Sequence, residues 1–554
     1  MQDNSTVIPH RIDDIPLLIA IIKQLSFDTI LDRLIPTHGN TKYHCLLSNG
    51  EAICIWLVYL ISQGDHRKWK MDEWVATHEL ILTRLWGAPV VPGDFSDDRL
   101  STLADYWGDA TIMAAMDRLV CEHTVALFDM NQMRLDATDL TGFHAPTAAG
   151  LMQFGHRKSA PARCTQFKLM AAATGDGQYI AGQFHAGHRA DDPLYLPLLQ
   201  QLLSLGLSQG MLFIGDSKMG SLEVRRFIAK HQHYYYLPLS HASIAKDKWQ
   251  QLIESAVAGQ LPGLAPVWRE ETLLGYGYEF PRTITSGGAV WVERVQIIRS
   301  LSHAEAEWKA LARRLDTACQ SIRTLTPASK QGVTSYTDAS ALQGKITAII
   351  DRLNLQGLVD ITIGADTTYK KGKATRFVVS TVKVNAEALR EREHRCGWYC
   401  VVTSALPERL SLAEGMLLYR QGAGQGVERM NQIYKAHDTL GFDRLYVQKD
   451  SKLLGLGYLM TLALRIVMHI EITIRSSLAK EQNVLPDYYP NGLTSAKPTT
   501  KTMRERIKFR GVTLLETCNS MGHCERYLTE LPLILVEMLR HLKLEATVYT
   551  QLIE

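Results

Sequence analysis

The sequence lacks several features that would assign it to a special class of protein. It has no low-complexity tract, and 46% hydrophobic with 21% charged residues is the composition of an ordinary globular chain. Sixty Lys and Arg against 57 Asp and Glu leave a formal net charge of only +3, so overall charge neither supports nor excludes nucleic-acid binding. No repeat with a period of about 20 to 50 residues is visible. The 554 residues are enough for about three or four structural units.

The nine cysteines show no paired zinc spacing. Cys396 with Cys400, and Cys518 with Cys524, are isolated pairs, and such pairs rarely bind zinc without a second matching pair. The N-terminal stretch MQDNSTVIPHRIDD has neither the basic region nor the cleavage site of a secretory signal. We therefore expect a reducing, cytoplasmic location.

A long uninterrupted hydrophobic run is also missing. The most apolar tract, LLGLGYLMTLALRIVMHIEITI, is interrupted by Arg465, His469 and Glu471. A membrane span needs about 20 predominantly apolar residues with few or no charges. The tract predicts a buried core helix, and we expect no membrane partner.

The periodicity of apolar residues changes along the chain. Stretches such as GEAICIWLVYLIS, near the N-terminus, have helical spacing. After residue 131, short apolar strands alternate with helices, which indicates an α/β layer structure. The predicted regions are a helical N-terminal region (1–128), the first part of an α/β core (129–250), an insertion with strands and a long helix (251–407), the second part of the core (408–480) and a helical C-terminal region (481–554).

The stretch GMLFIGDSKMG, residues 210–220, places a carboxylate directly after a short apolar run. Four consecutive apolar residues, 211–214, are followed by Gly215 and Asp216. Such a run is typical of a strand buried on both faces, whose C-terminal end opens into a crevice. The pattern predicts that Asp216 lies at the edge of a sheet.

A second acidic residue lies inside a predicted strand. In MRLDATDL, two-residue alternation puts Arg134, Asp136 and Thr138 on one face. Because Asp is costly to bury unpaired, Asp136 needs a cation, a hydrogen-bond donor or a metal ion as its partner. For Asp136 or Asp216 taken alone, a buried salt bridge with an arginine is the simpler interpretation.

A third acidic residue changes this balance. In GVERMNQIYKAHDTLG, Glu428, Asn431, Gln432 and Lys435 form one polar face of a predicted helix. Two strand aspartates and a helix glutamate are ligands that hard cations such as Mg²⁺ prefer. Two such ions about 3.5–4 Å apart can activate the attacking oxygen and stabilise the leaving oxygen of a phosphodiester. The three acids together predict metal-dependent phosphodiester chemistry.

Several motifs occur together in the order of a known family. LDATDL, FIGDSKMGS and VERMNQIYK are similar to its two aspartate motifs and its glutamate helix, and the flanking YVQKDSKLLGLGYLMTLALRIVMHIEITIR is similar to the segment that follows. Over nearly its whole length, the chain resembles the DDE transposases of bacterial insertion sequences, in the group with a Y-R-E-K signature around the catalytic glutamate.

The resemblance implies a fold and a site. The fold would be α/β: a ribonuclease-H-like core with a mainly β insertion, flanked by helical N-terminal and C-terminal regions. Asp136, Asp216 and Glu428 would be catalytic and would bind two Mg²⁺ ions, for which Mn²⁺ can substitute. Lys435 would contact DNA.

The match departs from the family at the signature tyrosine and arginine. The family places them seven and four residues before the glutamate, where this chain has Gln421 and Gly424. Tyr419 and Arg420 stand earlier. Either QGAGQG is a small insertion that lets them reach the same place and contact DNA, or these two roles are absent.

Two basic clusters are further candidates for DNA contact. Each is equally well explained as a solvated face. A tryptophan on a strand of the insertion, Trp291 or Trp398, could stack on a flipped base, although packing in the core is the simpler fate of each. The clusters contain Lys370, Lys371, Lys373 and Arg376 in the first, and Lys501, Arg504, Arg506, Lys508 and Arg510 in the second.

The leading prediction from the sequence is a metal-dependent DNA transposase. It would bind the terminal inverted repeats of an insertion sequence as a homodimer, cleave them and join the 3′ ends to target DNA, in the bacterial cytoplasm in association with the nucleoid. The alternatives are a domesticated, catalytically inactive DNA-binding relative and a metal-dependent nuclease without strand transfer. The helical regions at both ends of the chain are the candidates for recognition of the DNA ends.

Overall fold

The computed structural model describes most of the chain in two compact units. The first unit contains Met1–Tyr235 and Leu418–Glu554, and the second contains Tyr236–Leu417. The second unit therefore encloses the predicted insertion. The described residues are 6–35, 46–155, 164–239, 246–326, 336–366, 375–421, 426–436, 439–440, 445, 447–519 and 523–554.

The first unit begins with a strand and a group of helices. Helix α3 is apolar on almost all sides, and nearly all its residues are buried. Its start is fixed by Ser48 and Glu51, which form a reciprocal capping box. The elements are β1 (Thr6–Arg11), α1 (Ile15–Gln24), α2 (Phe27–Leu34), α3 (Asn49–Gln63), a 3₁₀ turn (Lys68–Lys70), α4 (Met71–Trp86), α5 (Asp97–Trp107) and α6 (Ala110–Thr124).

A sheet with ribonuclease-H-like topology follows these helices. In this unit its strand order is β4-β3-β2-β5-β6. The first three strands pair antiparallel, and β5 returns parallel to β2. The predicted fold class, an α/β protein with a ribonuclease-H-like core, is confirmed. The elements are β2 (Gln132–Gly142), β3 (Thr165–Thr174), β4 (Tyr179–Ala186), α7 (Tyr195–Ser204), β5 (Leu212–Ile214), α8 (Leu222–Lys230) and β6 (Tyr234–Pro238), which contains the boundary between the units.

The second unit consists of strands and helices with a core of their own. Its strands, together with the end of β6, follow the order β6-β12-β9-β8-β7, and β10 pairs separately with β11. The apolar faces of α10 and α11 bury Leu311, Leu315 and Ile346. The elements are α9 (Lys246–Val257), β7 (Ala265–Arg269), β8 (Thr272–Ser286), β9 (Ala289–Ser300), α10 (Leu301–Arg323), α11 (Ala339–Leu353), β10 (Val359–Asp366), β11 (Arg376–Val384), α12 (Ala386–His394), β12 (Trp398–Thr403) and α13 (Leu412–Gln421), whose end belongs to the first unit.

The C-terminal part of the chain completes the first unit. Strand β13 pairs antiparallel with both β1 and β14. These short strands lie among the helices predicted for the two terminal regions, and local periodicity does not reveal them because β1 pairs with a partner at the other end of the chain. The elements are α14 (Val427–Lys435), α15 (Asp450–Glu481), α16 (Thr500–Arg510), β13 (Thr513–Cys518), β14 (Cys524–Leu528), α17 (Leu533–His541) and α18 (Thr547–Thr550).

Helix α15 contains the apolar tract singled out in the sequence. Within the described part of the chain, it is the one helix long and apolar enough to cross a membrane, and 94% of its most apolar window is buried inside the protein. A Cβ atom on Gly455 would lie 1.9 Å from the Ala104 carbonyl oxygen of α5. Glycine thus permits the close approach of α5 and α15. The helix has the burial expected of a core element.

Candidate active site

Asp136 and Asp216 lie on neighbouring parallel strands at the same level of the sheet. The register of β2 and β5 pairs Gln132 with Leu212 and Arg134 with Ile214. Each aspartate comes two residues after the last of these pairs. Adjacent strands are about 4.8 Å apart, so the two carboxylates leave neighbouring points of the sheet where β5 ends. The prediction that Asp216 stands at a strand end is confirmed.

One oxygen of the Asp216 carboxylate, Oδ1, accepts three hydrogen bonds, of which the one from the backbone N–H of Met219 is the longest at 3.4 Å. The Tyr195 hydroxyl donates to Oδ1 at 2.8 Å, and the backbone N–H of Lys218 donates to the same oxygen at 2.9 Å. Tyr195 is fully buried. Burial raises the pKa of Tyr195, and the carboxylates of Asp216 and Asp136 raise it further. The phenol therefore remains a neutral donor that fixes the orientation of Asp216.

Helix α14, which carries the third acid, packs against β2. The Asn431 side-chain amide donates to Asp136 Oδ2 at 3.3 Å. Glu428 precedes Asn431 by three residues, which places both on one face of the helix. Glu428 is exposed, whereas Asn431 is buried. The structure thus brings the predicted glutamate face of α14 to the strand that carries Asp136.

Arg134 positions the start of that helix. It is buried two residues before Asp136, and its guanidinium donates to the Leu418 carbonyl at 2.9 Å. A Cβ on Gly426 would lie 2.6 Å from its Cδ, and Gly426 has a φ of +64°. Only glycine accepts both the left-handed backbone and this contact. The pair was missed by the sequence reasoning, although an arginine in a buried strand and a glycine before a helix were visible signals.

Tyr419 lies near the acidic residues despite its displaced position in the sequence. Burial raises the pKa of Tyr419, and the carboxylate of Asp216 raises it further. Its side chain is still 41% exposed. Arg420 belongs to α13, but its side chain lies outside the described residues.

A lysine pair next to Asp216 was also missed. Asp191 accepts an ion pair from Lys168 at 2.6 Å and another from Lys218 at 2.5 Å. Lys168 lies in β3, where every residue is buried. A lysine in such an apolar strand was the available signal, since buried lysines are rare unless paired.

In the second basic cluster Arg504 is buried and Lys508 is half-buried, whereas Arg510 is exposed, and the contacts of Arg504 and Lys508 with the protein contradict their predicted contact with DNA. Arg504 is buried and forms an ion pair with Asp14 at 2.7 Å. Lys508 donates to the Ser62 carbonyl, and burial lowers its pKa. These residues link α16 to the N-terminal helices. The spacing of basic residues in the sequence does not show that the face of α16 with Arg504 and Lys508 packs against the protein.

The remaining predicted DNA contacts have different outcomes. Lys435 is exposed at the end of α14. Lys370, Lys371 and Lys373 lie outside the described residues. Trp398 is 9% exposed, and its indole donates to the His394 carbonyl at 3.1 Å. We therefore correct the prediction for Trp398: it packs in the second unit and offers no open ring face to a base.

The acidic residues fit divalent ions by their chemistry. All three offer hard oxygen ligands, and the three hydrogen bonds to Asp216 all go to Oδ1 and leave Oδ2 outside them. Asn431 Oδ1 is buried and has no hydrogen-bond partner within the described structure. A water bound to a metal ion at this point would donate a hydrogen bond to this oxygen. The orientation of Asp216 and the unsatisfied amide oxygen both suit an ion at this point.

Asp136, Asp216 and Glu428 do not bring three ligand atoms within 4.8 Å of one another in the described structure. The single group of three ligand atoms within 4.8 Å of one another, in the part of the chain that the structure describes, is Glu516, Cys518 and Cys524. In that group the two cysteines form a disulfide, and Glu516 pairs with Arg526 at 2.6 Å. Ligands of one Mg²⁺ ion lie within about 4 Å of each other. Two ions about 3.5–4 Å apart could share acidic ligands that are too far apart to bind a single ion.

The sheet order and the acidic residues at the end of β5 define a ribonuclease-H-like α/β protein. Residues 129–421 match the family model described as "Transposase DDE domain". The match covers more than half of the chain, which therefore belongs to this family of DNA transposases. It includes Asp136 and Asp216 and ends before Glu428.

Two further comparisons add context. No curated protein matches the chain significantly. Among solved structures, the chain is similar to "Cryo-EM structure of piggyBac transposase synaptic complex with hairpin DNA", with 10% identity, a TM-score of 0.38, and coverage of 89% of this chain and 79% of that chain.

Proposed function

We propose that this protein binds the ends of an insertion sequence, cleaves them with two divalent ions and joins the 3′ ends to target DNA, in the Y-R-E-K group of bacterial enzymes. The observation that carries the proposal is the shared level of Asp136 and Asp216 on parallel strands, with the Glu428 face of α14 packed on the same strand. It would act as a dimer on the nucleoid, because two ends must be cut and joined in concert.

The roles of the side chains follow from their contacts. Asp136, Asp216 and Glu428 would hold Mg²⁺, which would supply activation of the attacking oxygen and stabilisation of the leaving oxygen. Tyr195 orients the Asp216 carboxylate, and Asn431 orients that of Asp136. Such outer contacts fix metal ligands in productive geometry. Tyr419, beside Asp216, has an exposed edge that can contact the entering strand.

The position of Tyr419 bears on the inactive alternative. That reading depended on the displaced tyrosine and arginine in the sequence. Tyr419 lies close enough to Asp216 for the carboxylate to raise its pKa. This electrostatic influence is the one expected if QGAGQG is a small insertion that lets Tyr419 fill the family's tyrosine role.

The decisive experiment uses DNA from the borders of the protein's own gene. The purified chain is incubated with labelled border fragments and Mg²⁺, and the products are resolved on a denaturing gel. We expect nicked ends followed by joined products on a target plasmid. Specific binding without cleavage under Mg²⁺ or Mn²⁺ would support the inactive relative, and cleavage without joining would support a nuclease.

Lys435 provides a prediction about DNA binding. Seven residues after Glu428, its ammonium lies about 10 Å further along α14, which suits contact with a phosphate of the entering strand. We expect Lys435→Ala to weaken end binding and to lower the log-log salt slope by about one unit. Lys435→Arg should retain much of both. Lys480→Ala, at the exposed end of α15, is the control; an unchanged slope for Lys435→Ala would contradict the contact.

Tyr195 provides a prediction about metal affinity. Tyr195→Phe removes the hydroxyl that orients Asp216 and leaves the ring in the core. We expect cleavage at limiting Mg²⁺ to fall by about 10- to 100-fold, with recovery at high Mg²⁺ or with Mn²⁺. Tyr106→Phe, at a 37% exposed position on α5, serves as control. An unchanged Mg²⁺ titration for Tyr195→Phe would exclude the positioning role.

A further inference from the structure

A cavity of about 560 Å³ lies in the first unit, away from the acidic residues. Its walls come from the 3₁₀ turn between α3 and α4, from α5 and from the start of α15. Beyond the end of β2, His144 Nε2 lies 2.7 Å from the Val447 carbonyl oxygen, and Val447 lines the cavity. Gly142, the last residue of β2, is six residues after Asp136, so roughly 20 Å of strand separates Asp136 from the end of β2.

Basic side chains dominate the lining. Arg67, Lys68, Lys449 and Lys452 line the cavity together with one acid, Asp97. Three of the cations form ion pairs with nearby aspartates: Arg67 with Asp65 at 2.5 Å, Lys68 with Asp97 at 3.2 Å and Lys452 with Asp105 at 3.8 Å. In each pair one side chain is partly buried, whereas Lys449 is exposed at the cavity wall and belongs to none of the three pairs. Lys449 is therefore an accessible cation for a phosphate.

An exposed tryptophan lies in the same wall. Trp69 is 61% exposed, although tryptophan is among the most buried residue types on average. The Lys70 ammonium lies 5.5 Å from the centre of its ring. An open aromatic face beside cations is the combination that binds single strands, because bases stack on the ring while the cations contact phosphates.

We propose that this cavity is a binding site for a DNA strand, with an unstacked base against Trp69 and the adjoining phosphates on Lys449 and Lys452. The size is suitable, since small-molecule and cofactor sites have volumes of about 300–1,000 Å³. The identity of the ligand as DNA rests on the proposed function. None of the three acids lines the cavity, so the site would hold the substrate without touching the reacting phosphate.

The test measures DNA binding without cleavage. A labelled single strand and the matching duplex, both of mixed sequence, are titrated with the full chain in EDTA. We expect Trp69→Ala to weaken single-strand binding by about 5- to 100-fold, the cost of one stacked base, and to affect the duplex less. Trp69→Phe should restore most of the affinity. Lys449→Ala should lower the salt slope by about one unit.

Matched controls separate this site from general surface effects. Phe509 is 75% exposed, with the Arg506 guanidinium 5.3 Å from its ring, but it does not line the cavity. Phe509→Ala and Lys480→Ala should bind both probes like the unmodified chain. All variants should keep the same unfolding temperature, because the substituted side chains are exposed.

The outcomes are separable from those of the transposition assay. Unchanged single-strand binding by Trp69→Ala and Lys449→Ala would overturn the inference even if the enzyme cuts and joins its ends. Competition by a free mononucleotide as effective as that by the strand would also overturn it, in favour of a nucleotide site. Weakened binding confined to these variants would uphold it even if the chain cleaves no DNA.

Discussion

Asp216→Ala is expected to abolish DNA cleavage while leaving the binding of transposon ends nearly unchanged. The substitution removes the carboxylate that Tyr195 and the Lys218 N–H hold in place, and with it a proposed metal ligand. Residues that only orient a ligand cost about 10- to 100-fold when replaced, so loss of a ligand itself should exceed that. Asp136→Ala and Glu428→Ala should have the same effect, measured as single-turnover cleavage with Mg²⁺.

Controls for this result come from the same region. Glu223→Ala, at an exposed position on α8 seven residues after Asp216, should cleave normally. End binding in EDTA should be similar for all variants, because the proposed phosphate contacts are elsewhere. Cleavage close to the normal rate by one of the three alanine variants would remove that residue from the site.

Arg465→Met is expected to cause the largest loss of stability. Arg465 on α15 and Asp117 on α6 form an ion pair in which both side chains are 2% exposed. Arg465 also donates to the Ile180 carbonyl at 2.7 Å, which ties the N-terminal helices, β4 and α15 together. Removing one partner leaves a buried charge uncompensated and costs about 3–5 kcal/mol. Urea denaturation followed by circular dichroism would measure the change in the free energy of unfolding.

A double substitution tests the reason for that loss. Asp117→Leu combined with Arg465→Met removes both charges, and buried pairs replaced by apolar residues are often neutral in stability. We expect the double variant to be more stable than Arg465→Met alone. Arg118→Met, at the exposed neighbouring position on α6, should change little. A double variant as unstable as the single one would mean that packing, rather than the unpaired charge, causes the loss.

Local sequence patterns predicted which acidic residues belong to the site, but they did not predict that these residues lie close together. Asp216 after an apolar run and Asp136 in an alternating strand are features of a few neighbouring residues. Eighty residues of sequence separate them, and only the pairing of β2 with β5 sets them at one level. Tyr195 was missed for the same reason: its hydroxyl acts through a contact that helix α7 makes in three dimensions.

For the charged clusters, the sequence pattern suggested a function that the contacts in the structure do not support. In the sequence, Arg504 and Lys508 have the same appearance as a DNA-binding face. Their partners, Asp14 and the Ser62 carbonyl, belong to the other end of the chain. The cavity beside Trp69 likewise joins the turn after α3 to the start of α15. No window of sequence contains both sides of these contacts.

The sequence by itself determined the alternation of strands and helices, the burial of α15 and the carboxylates available for chemistry. These features depend on periodicity and on the cost of burying charge, which act over a few residues. The tertiary structure decided which charges face inward, how β1 and β13 pair, and which side chains hold Asp136 and Asp216. Such contacts join residues from 21 positions apart, as for Tyr195 and Asp216, to several hundred, and their energies depend on the partner that folding brings into place.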